Sequence, residues 1–72
     1  MSITERIAAL VERVRADEAA LGKLSTGEAL AAVLVLDRKD LLGDYTMLEA
    51  VERLGTEWFR AALTVQRSLP PT

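Results

Sequence analysis

Apolar residues recur at helical spacing over most of the chain. In the N-terminal third they fall at positions that share one side of an α-helix, because residues three, four and seven apart project in similar directions. This stripe consists of Ile3, Ile7, Leu10, Val14 and Leu21. No segment alternates apolar and polar residues with a period of two, so a sheet has little support. The pattern predicts helices that each pack one face against a core.

Helix starts and stops are marked by short polar signals. A hydroxyl residue three positions before a glutamate is the capping box of a helix start, and it occurs at Ser2-Glu5, Ser25-Glu28 and Thr46-Glu49. Glycines that follow leucine, where a helix end commonly needs a left-handed residue, are Gly22, Gly43 and Gly55. We therefore expect helices over about 3–21, 26–38 (or on to 42), 47–54 and 57–69.

These segments predict an all-α fold, a small bundle of three to four short helices in a single domain over residues 1–69, with a flexible tail at 70–72. A 72-residue chain buries only about 60% of its unfolded surface, and such domains often depend on disulfides, metals or a second subunit. The chain has no Cys and no His, which excludes disulfides and restricts metal ligands to oxygen. Self-association is the support that remains.

The longest apolar run, Ala29 to Leu36, suggests where a second copy would bind. At 100° per residue its large side chains share one broad side, which we expect to fill the core. The opposite side consists of Ala31, Ala32 and Val35. Small residues permit a close approach of another helix, so we predict that this side faces the partner of a symmetric homodimer. Cover by the first helix of the same chain is the alternative.

Trp58 and Gln66 form a second candidate contact surface. Trp58 is expected to anchor the core, but an exposed Trp58 would instead mark an interface. Gln66 falls inside the apolar arc of the last helix, so burial would require partners for its amide and could set the register of a helix interface. The alternative is that the arc reaches the surface near Gln66.

Catalytic and metal-binding patterns are missing. Without His or Cys the commonest acid-base and nucleophilic groups are lacking, and the four glycines are too scattered for a phosphate-binding loop. A calcium loop that began at Asp37 would need ligands at its third, fifth and twelfth positions, which are Lys39, Leu41 and Leu48. We expect no enzyme activity, no cofactor, no metal and no small-molecule substrate.

DNA binding is the alternative function. The segment Thr46–Arg67 has the helix, glycine, helix order of a helix-turn-helix, and Arg60, Thr64 and Arg67 would contact the nucleic acid from the solvent side of its second helix. Against this, the turn is short and the net charge is −2, which weakens the electrostatic term that dominates such binding. Acidic residues also occupy the segment, at Glu49, Glu52 and Glu57.

The remaining expectations concern location and class. No apolar run approaches the roughly 20 residues that span a bilayer, and the first residues lack the apolar core of a secretion signal, so we expect a cytoplasmic protein without a membrane partner. An Ala-rich composition with Arg in excess of Lys is associated with high-GC bacteria and their phages. The sequence indicates a non-catalytic protein-protein interaction or regulatory module that forms a homodimer.

Overall fold

The computed structural model describes residues 2–69, and in this part the chain forms four α-helices, two 3₁₀ helices and no strand. The predicted small all-α bundle is confirmed. The α-helices are α1 (Ile3–Ala16), α2 (Thr26–Val35), α3 (Met47–Leu54) and α4 (Thr56–Ser68). The 3₁₀ helices are Glu18–Lys23 and Lys39–Leu41. The tail predicted at 70–72 lies outside the described residues.

The three capping boxes are confirmed, and with them the predicted starts of α1, α2 and α3. In each, the hydroxyl oxygen accepts from the backbone N–H of the glutamate, at 3.1 Å, 3.3 Å and 3.1 Å in chain order. The glutamate carboxylate in turn accepts from the N–H of the cap residue. Two of the N–H groups that a helix start leaves without a partner are thereby satisfied in each case.

The predicted end of the first helix at residue 21 is wrong, because α1 ends at Ala16. Asp17 has an extended backbone, and its Oδ1 accepts from the N–H of Ala19 at 3.0 Å, which starts the 3₁₀ helix that follows. A short acidic side chain competes for backbone N–H groups in this way and so interrupts an α-helix. Gly22 consequently lies inside the 3₁₀ helix and does not end α1.

The end of α2 at Val35 also falls short of the predicted 38. The N–H of Asp37 donates to the carbonyl of Leu34, and the N–H of Arg38 donates to that of Val33, both at 3.1 Å. This pair of bonds is the Schellman motif, which needs one left-handed residue. Here Asp37 takes that position, with φ of +54°, and Gly43, also left-handed, belongs to a later turn.

Both sides of α2 are covered by the same chain. Its small side packs in a cluster with α1 and α4, whose other members are Ile7, Val11, Val14, Ala61, Ala62 and Val65. Its large side packs through Leu30 and Val33 against Leu42 and Ala50. Helices α1, α2 and α4 contact one another pairwise, and α3 contacts α2 and α4.

The prediction that Ala31, Ala32 and Val35 face a second copy is therefore wrong. Their exposed fractions are 0%, 0% and 4% in the single chain. The physical reason is that these small side chains of α2 pack against Ala61, Ala62 and Val65 of α4 and against α1, which together cover this side of α2. A partner has no access to these three residues in the folded protomer.

Candidate protein-interaction surface

An open apolar groove of about 350 Å³ lies between the C-terminal end of α2 and the helices α3 and α4. Its walls are formed by Leu34, Met47, Val51, Phe59, Ala62 and Leu63. Met47 and Val51 are one turn apart on α3, and Phe59 and Leu63 are one turn apart on α4. Each helix therefore presents one side chain from each of two successive turns to the groove. Polar side chains reach it at Asp37 and Gln66.

Large apolar side chains are exposed beside this groove, at the start of α3. Leu48 is 83% exposed, Met47 41% and Tyr45 36%. Leu48 stands about 100° from Met47 around the helix, whereas the buried residue Ala50 marks the side that faces the core. It therefore projects from the outer edge of the groove wall. We call the groove together with Tyr45 and Leu48 the groove surface.

Gln66 closes one end of the groove and ties α4 to α2. Its Nε2 donates to the carbonyl of Leu34 at 3.3 Å and to that of Val35 at 3.2 Å. These carbonyls belong to the last turn of α2, where no N–H group of the same helix is available to donate to them. Gln66 itself is exposed, so the alternative in which the apolar arc reaches the surface describes its position.

Trp58 lies elsewhere and is not brought together with Gln66 into one surface. It is half-buried against the α1, α2 and α4 cluster, about 100° around α4 from the groove residue Phe59. The guanidinium of Arg6 lies 6.0 Å from the centre of its ring, a cation–π distance. Arg6 Nη2 also donates to Glu28 Oε2 at 3.0 Å. Trp58 thus packs partly against the core, with the guanidinium of Arg6 beside its ring.

The exposed face of α4 carries the residues proposed for nucleic-acid contact. Arg60, Thr64 and Arg67 are all exposed and fall within about 60° of one another around the helix. The hydroxyl of Thr64 donates to the carbonyl of Arg60 at 3.1 Å. The connection between α3 and α4 is the single residue Gly55, with φ of +82°.

The acidic and basic residues after α1 and α2 bind each other. Arg38 Nη1 donates to Glu18 Oε1 at 2.6 Å, and Arg38 Nε and Nη2 donate to the two oxygens of Asp40 at 3.0 Å and 2.8 Å. The bonds from Arg38 hold the pKa of Asp40 below its ordinary value. These bonds join the segments that follow α1 and α2, so the charges there connect two parts of the chain.

The groove surface was missed in the sequence because its residues are apolar and were assigned to the core. One signal was present. The apolar positions of α3, which are Met47, Leu48, Val51 and Leu54, span an arc of about 120°. An eight-residue helix at the edge of a small bundle buries less than this arc, so its outermost member, Leu48, is left in solvent.

Three absences complete the description of the chain. Among residues 2–69, no group of three or more acidic side chains is placed to hold a metal ion. No helix in that range combines the length and apolar character needed to cross a membrane. Comparisons with protein-family models, curated proteins and solved structures find no match.

Proposed function

We propose that this protein is a small non-catalytic interaction module that forms a homodimer through the groove surface. The observation that carries the proposal is Leu48, 83% exposed at the edge of an open apolar groove. Burial of a leucine side chain is worth about 1.5–3 kcal/mol. Leu48 and the groove therefore both gain from a partner that covers them.

A second copy is the partner that matches both features at once. A two-fold interface uses the same patch on both subunits, so the patch must be complementary to itself. The groove surface has a projecting apolar side chain next to an apolar recess. With a two-fold axis between them, Leu48 of each copy enters the groove of the other. A standard interface covers about 800 Å² per partner, which is about one sixth of the 4852 Å² surface of the chain.

The residues that line the groove support the proposal that the protein is not a catalyst. Asp37 and Gln66 are its polar residues, and the amide of Gln66 already donates to two carbonyls. A site for acid-base chemistry needs a positioned proton donor or acceptor within reach of a substrate. A single carboxylate at the rim of an open apolar groove suits binding better than catalysis.

Sedimentation equilibrium over a concentration series tests self-association. The wild-type mass should rise with concentration from 7.9 kDa towards twice that value. Leu48→Glu should stay monomeric, because its carboxylate would be buried without a partner. Since Leu48 is exposed in the protomer, this variant should keep the wild-type far-UV circular dichroism spectrum.

Ala9→Glu is the matched control. Ala9 is an exposed position of α1, and α1 contributes no residue to the groove walls, so this variant should dimerise like the wild type. Wild-type protein that remains monomeric at every concentration would contradict the proposal. So would a Leu48→Glu variant that dimerises as tightly as Ala9→Glu.

DNA binding through Arg60, Thr64 and Arg67 is supported less well. Their shared exposed face favours it, but the one-residue link at Gly55 is shorter than the three to four residues of a helix-turn-helix turn. A gel-shift titration at low salt decides between the two. Absence of any retardation of duplex DNA removes this function. If retardation occurs, replacement of both arginines by alanine should reduce its salt dependence.

A further inference from the structure

We infer that the groove surface has one basic lip and one acidic lip, and that these lips pair across the proposed homodimer and set its two-fold orientation. This inference rests on the proposed function, and it names which edges of the two copies meet. It is carried by the positions of charged residues next to the apolar residues of α3 and α4.

The basic lip belongs to α4. Arg60 precedes the groove residue Leu63 by three positions and Arg67 follows it by four, so both arginines neighbour Leu63 on the helix surface. Both are exposed. Within residues 2–69, neither arginine takes part in an ion pair. Two cations thus lie on the solvent side of the α4 wall, and Arg60 also borders a recess beside the start of α1.

The acidic lip belongs to α3 and to the end of α2. Glu52 follows Leu48 by four positions and neighbours it on the outside of α3. Asp37 lies at the groove edge itself, but Lys39 lines an adjoining recess with it, so the negative charge of this lip depends on Glu52. In the described part of the chain, no ion pair engages either carboxylate. Arg53 is about 100° further around α3 than Glu52, away from the groove, and does not neutralise this lip.

The two lips become complementary when Leu48 enters the groove of a second copy. Glu52 accompanies Leu48, because both lie on the same edge of α3, and it arrives at the basic lip of the other α4. The two-fold axis repeats this contact at the other end of the interface. Exposed ion pairs contribute little affinity, but like charges in the same places oppose association. The lips therefore select the orientation, while the apolar groove supplies the affinity.

Charge reversal followed by mixing tests this pairing. In Glu52→Arg, both contacts of the homodimer place cation against cation. In the double variant Arg60→Glu plus Arg67→Glu, both contacts place anion against anion. Each variant alone should raise the dissociation constant of the dimer by roughly tenfold or more, which corresponds to about 1.4 kcal/mol. The increase should shrink at high salt because these charges are exposed.

An equimolar mixture of the two variants should restore dimerisation. In the heterodimer, the substituted cation at position 52 of one chain meets the substituted anions at positions 60 and 67 of the other. At the second contact, the native Glu52 meets the native arginines. Sedimentation velocity of the mixture should give a dissociation constant within about threefold of the wild-type value. Damage to folding cannot produce such rescue, because neither chain alone regains its native residues.

Glu12→Arg changes the net charge by the same amount as Glu52→Arg and is the control for that variant. Glu12 is exposed on α1, outside the groove surface, so its reversal should leave the dissociation constant unchanged. If the single-site and double variants dimerise like Glu12→Arg while Leu48→Glu is monomeric, the pairing of lips is refuted and the groove dimer stands. The pairing is also refuted if the mixture shows no rescue. A wild-type chain that never dimerises refutes the dimer itself, and the pairing with it.

Discussion

Replacement of Asp37 by glycine should stabilise the protein, although it removes a side chain. Asp37 ends α2 with φ of +54°, in the left-handed region where most L-residues are strained. Its carboxylate also stands at the C-terminal end of α2, where the helix dipole disfavours negative charge. Glycine relieves both costs and keeps the backbone bonds of the Schellman motif.

The expected gain follows from three contributions. A left-handed conformation costs an ordinary residue about 1–2 kcal/mol, and aspartate, which occurs there more often than most residues, toward the low end. Removal of the negative charge from the helix end contributes about 0.3–1 kcal/mol. The greater flexibility of glycine in the unfolded chain offsets about 0.5–1 kcal/mol. The net gain in the free energy of unfolding is about 0.5–1 kcal/mol.

Urea unfolding followed by circular dichroism measures this gain. The comparison should be made in the Leu48→Glu background, because dimerisation couples stability to protein concentration. With a slope near 1 kcal/mol/M for a domain of this size, the midpoint should rise by about 0.5–1 M. Asp37→Asn removes the charge and keeps a residue that tolerates the left-handed region, so it should give only the dipole contribution.

Asp37→Ala provides the decisive comparison, because alanine removes the charge but is strained at positive φ. We expect Asp37→Ala to be less stable than Asp37→Gly by about 1 kcal/mol. Equal stability of the two variants would mean that residue 37 is not held in a left-handed conformation in the folded protein.

Three further predictions concern the core, the α2–α4 tie and acid stability. Ala32→Glu should unfold the chain, seen as loss of the cooperative thermal transition, because residue 32 has no exposed surface; a folded Ala32→Glu monomer would contradict the buried position. Gln66→Met should lower the free energy of unfolding by about 0.5–1.5 kcal/mol in a urea titration, since the carbonyl of Val35 loses its donor and that of Leu34 keeps only its bond from Asp37. An unchanged midpoint would argue against these bonds. Glu28 and Glu49 accept bonds from their cap residues, which lowers their pKa below the ordinary 4.5. Their contribution to stability should be complete above about pH 4.5 and should be lost as the pH falls through the lowered values. Below about pH 4.5, the urea midpoint of Glu28→Gln should therefore change less with pH than the midpoint of the wild type.

The parts of the fold that depend on neighbouring residues could be predicted from the sequence. Each capping box needs only a hydroxyl and a glutamate three residues apart, so the starts of α1, α2 and α3 were predicted correctly. Two helix ends were not, because aspartates perform the task that was assigned to glycines. Asp17 interrupts α1 by capping a 3₁₀ helix, and Asp37 adopts the left-handed conformation at the end of α2.

The candidate surface depends on how the helices are placed, and local patterns carry little of that information. The sequence predicts that the small side of α2 faces a partner, because a chain of 72 residues has few residues with which to cover both sides. Alanines on both α2 and α4 allow close approach, and α1 covers the remainder. The residues that stay exposed are instead Leu48 and the groove walls. Because they are apolar, the sequence alone does not distinguish them from core residues.

Isotope-filtered NMR can detect directly whether Leu48 of one copy occupies the groove of another. Equal amounts of ¹³C-labelled and unlabelled protein are mixed, at a concentration where sedimentation gives the mass of a dimer. If Leu48 enters the groove, intermolecular contacts should appear between the Leu48 methyl groups of the labelled copy and the Phe59 ring of the unlabelled copy. A dimer without those contacts, or a chain that is monomeric at NMR concentrations, would contradict this placement of Leu48.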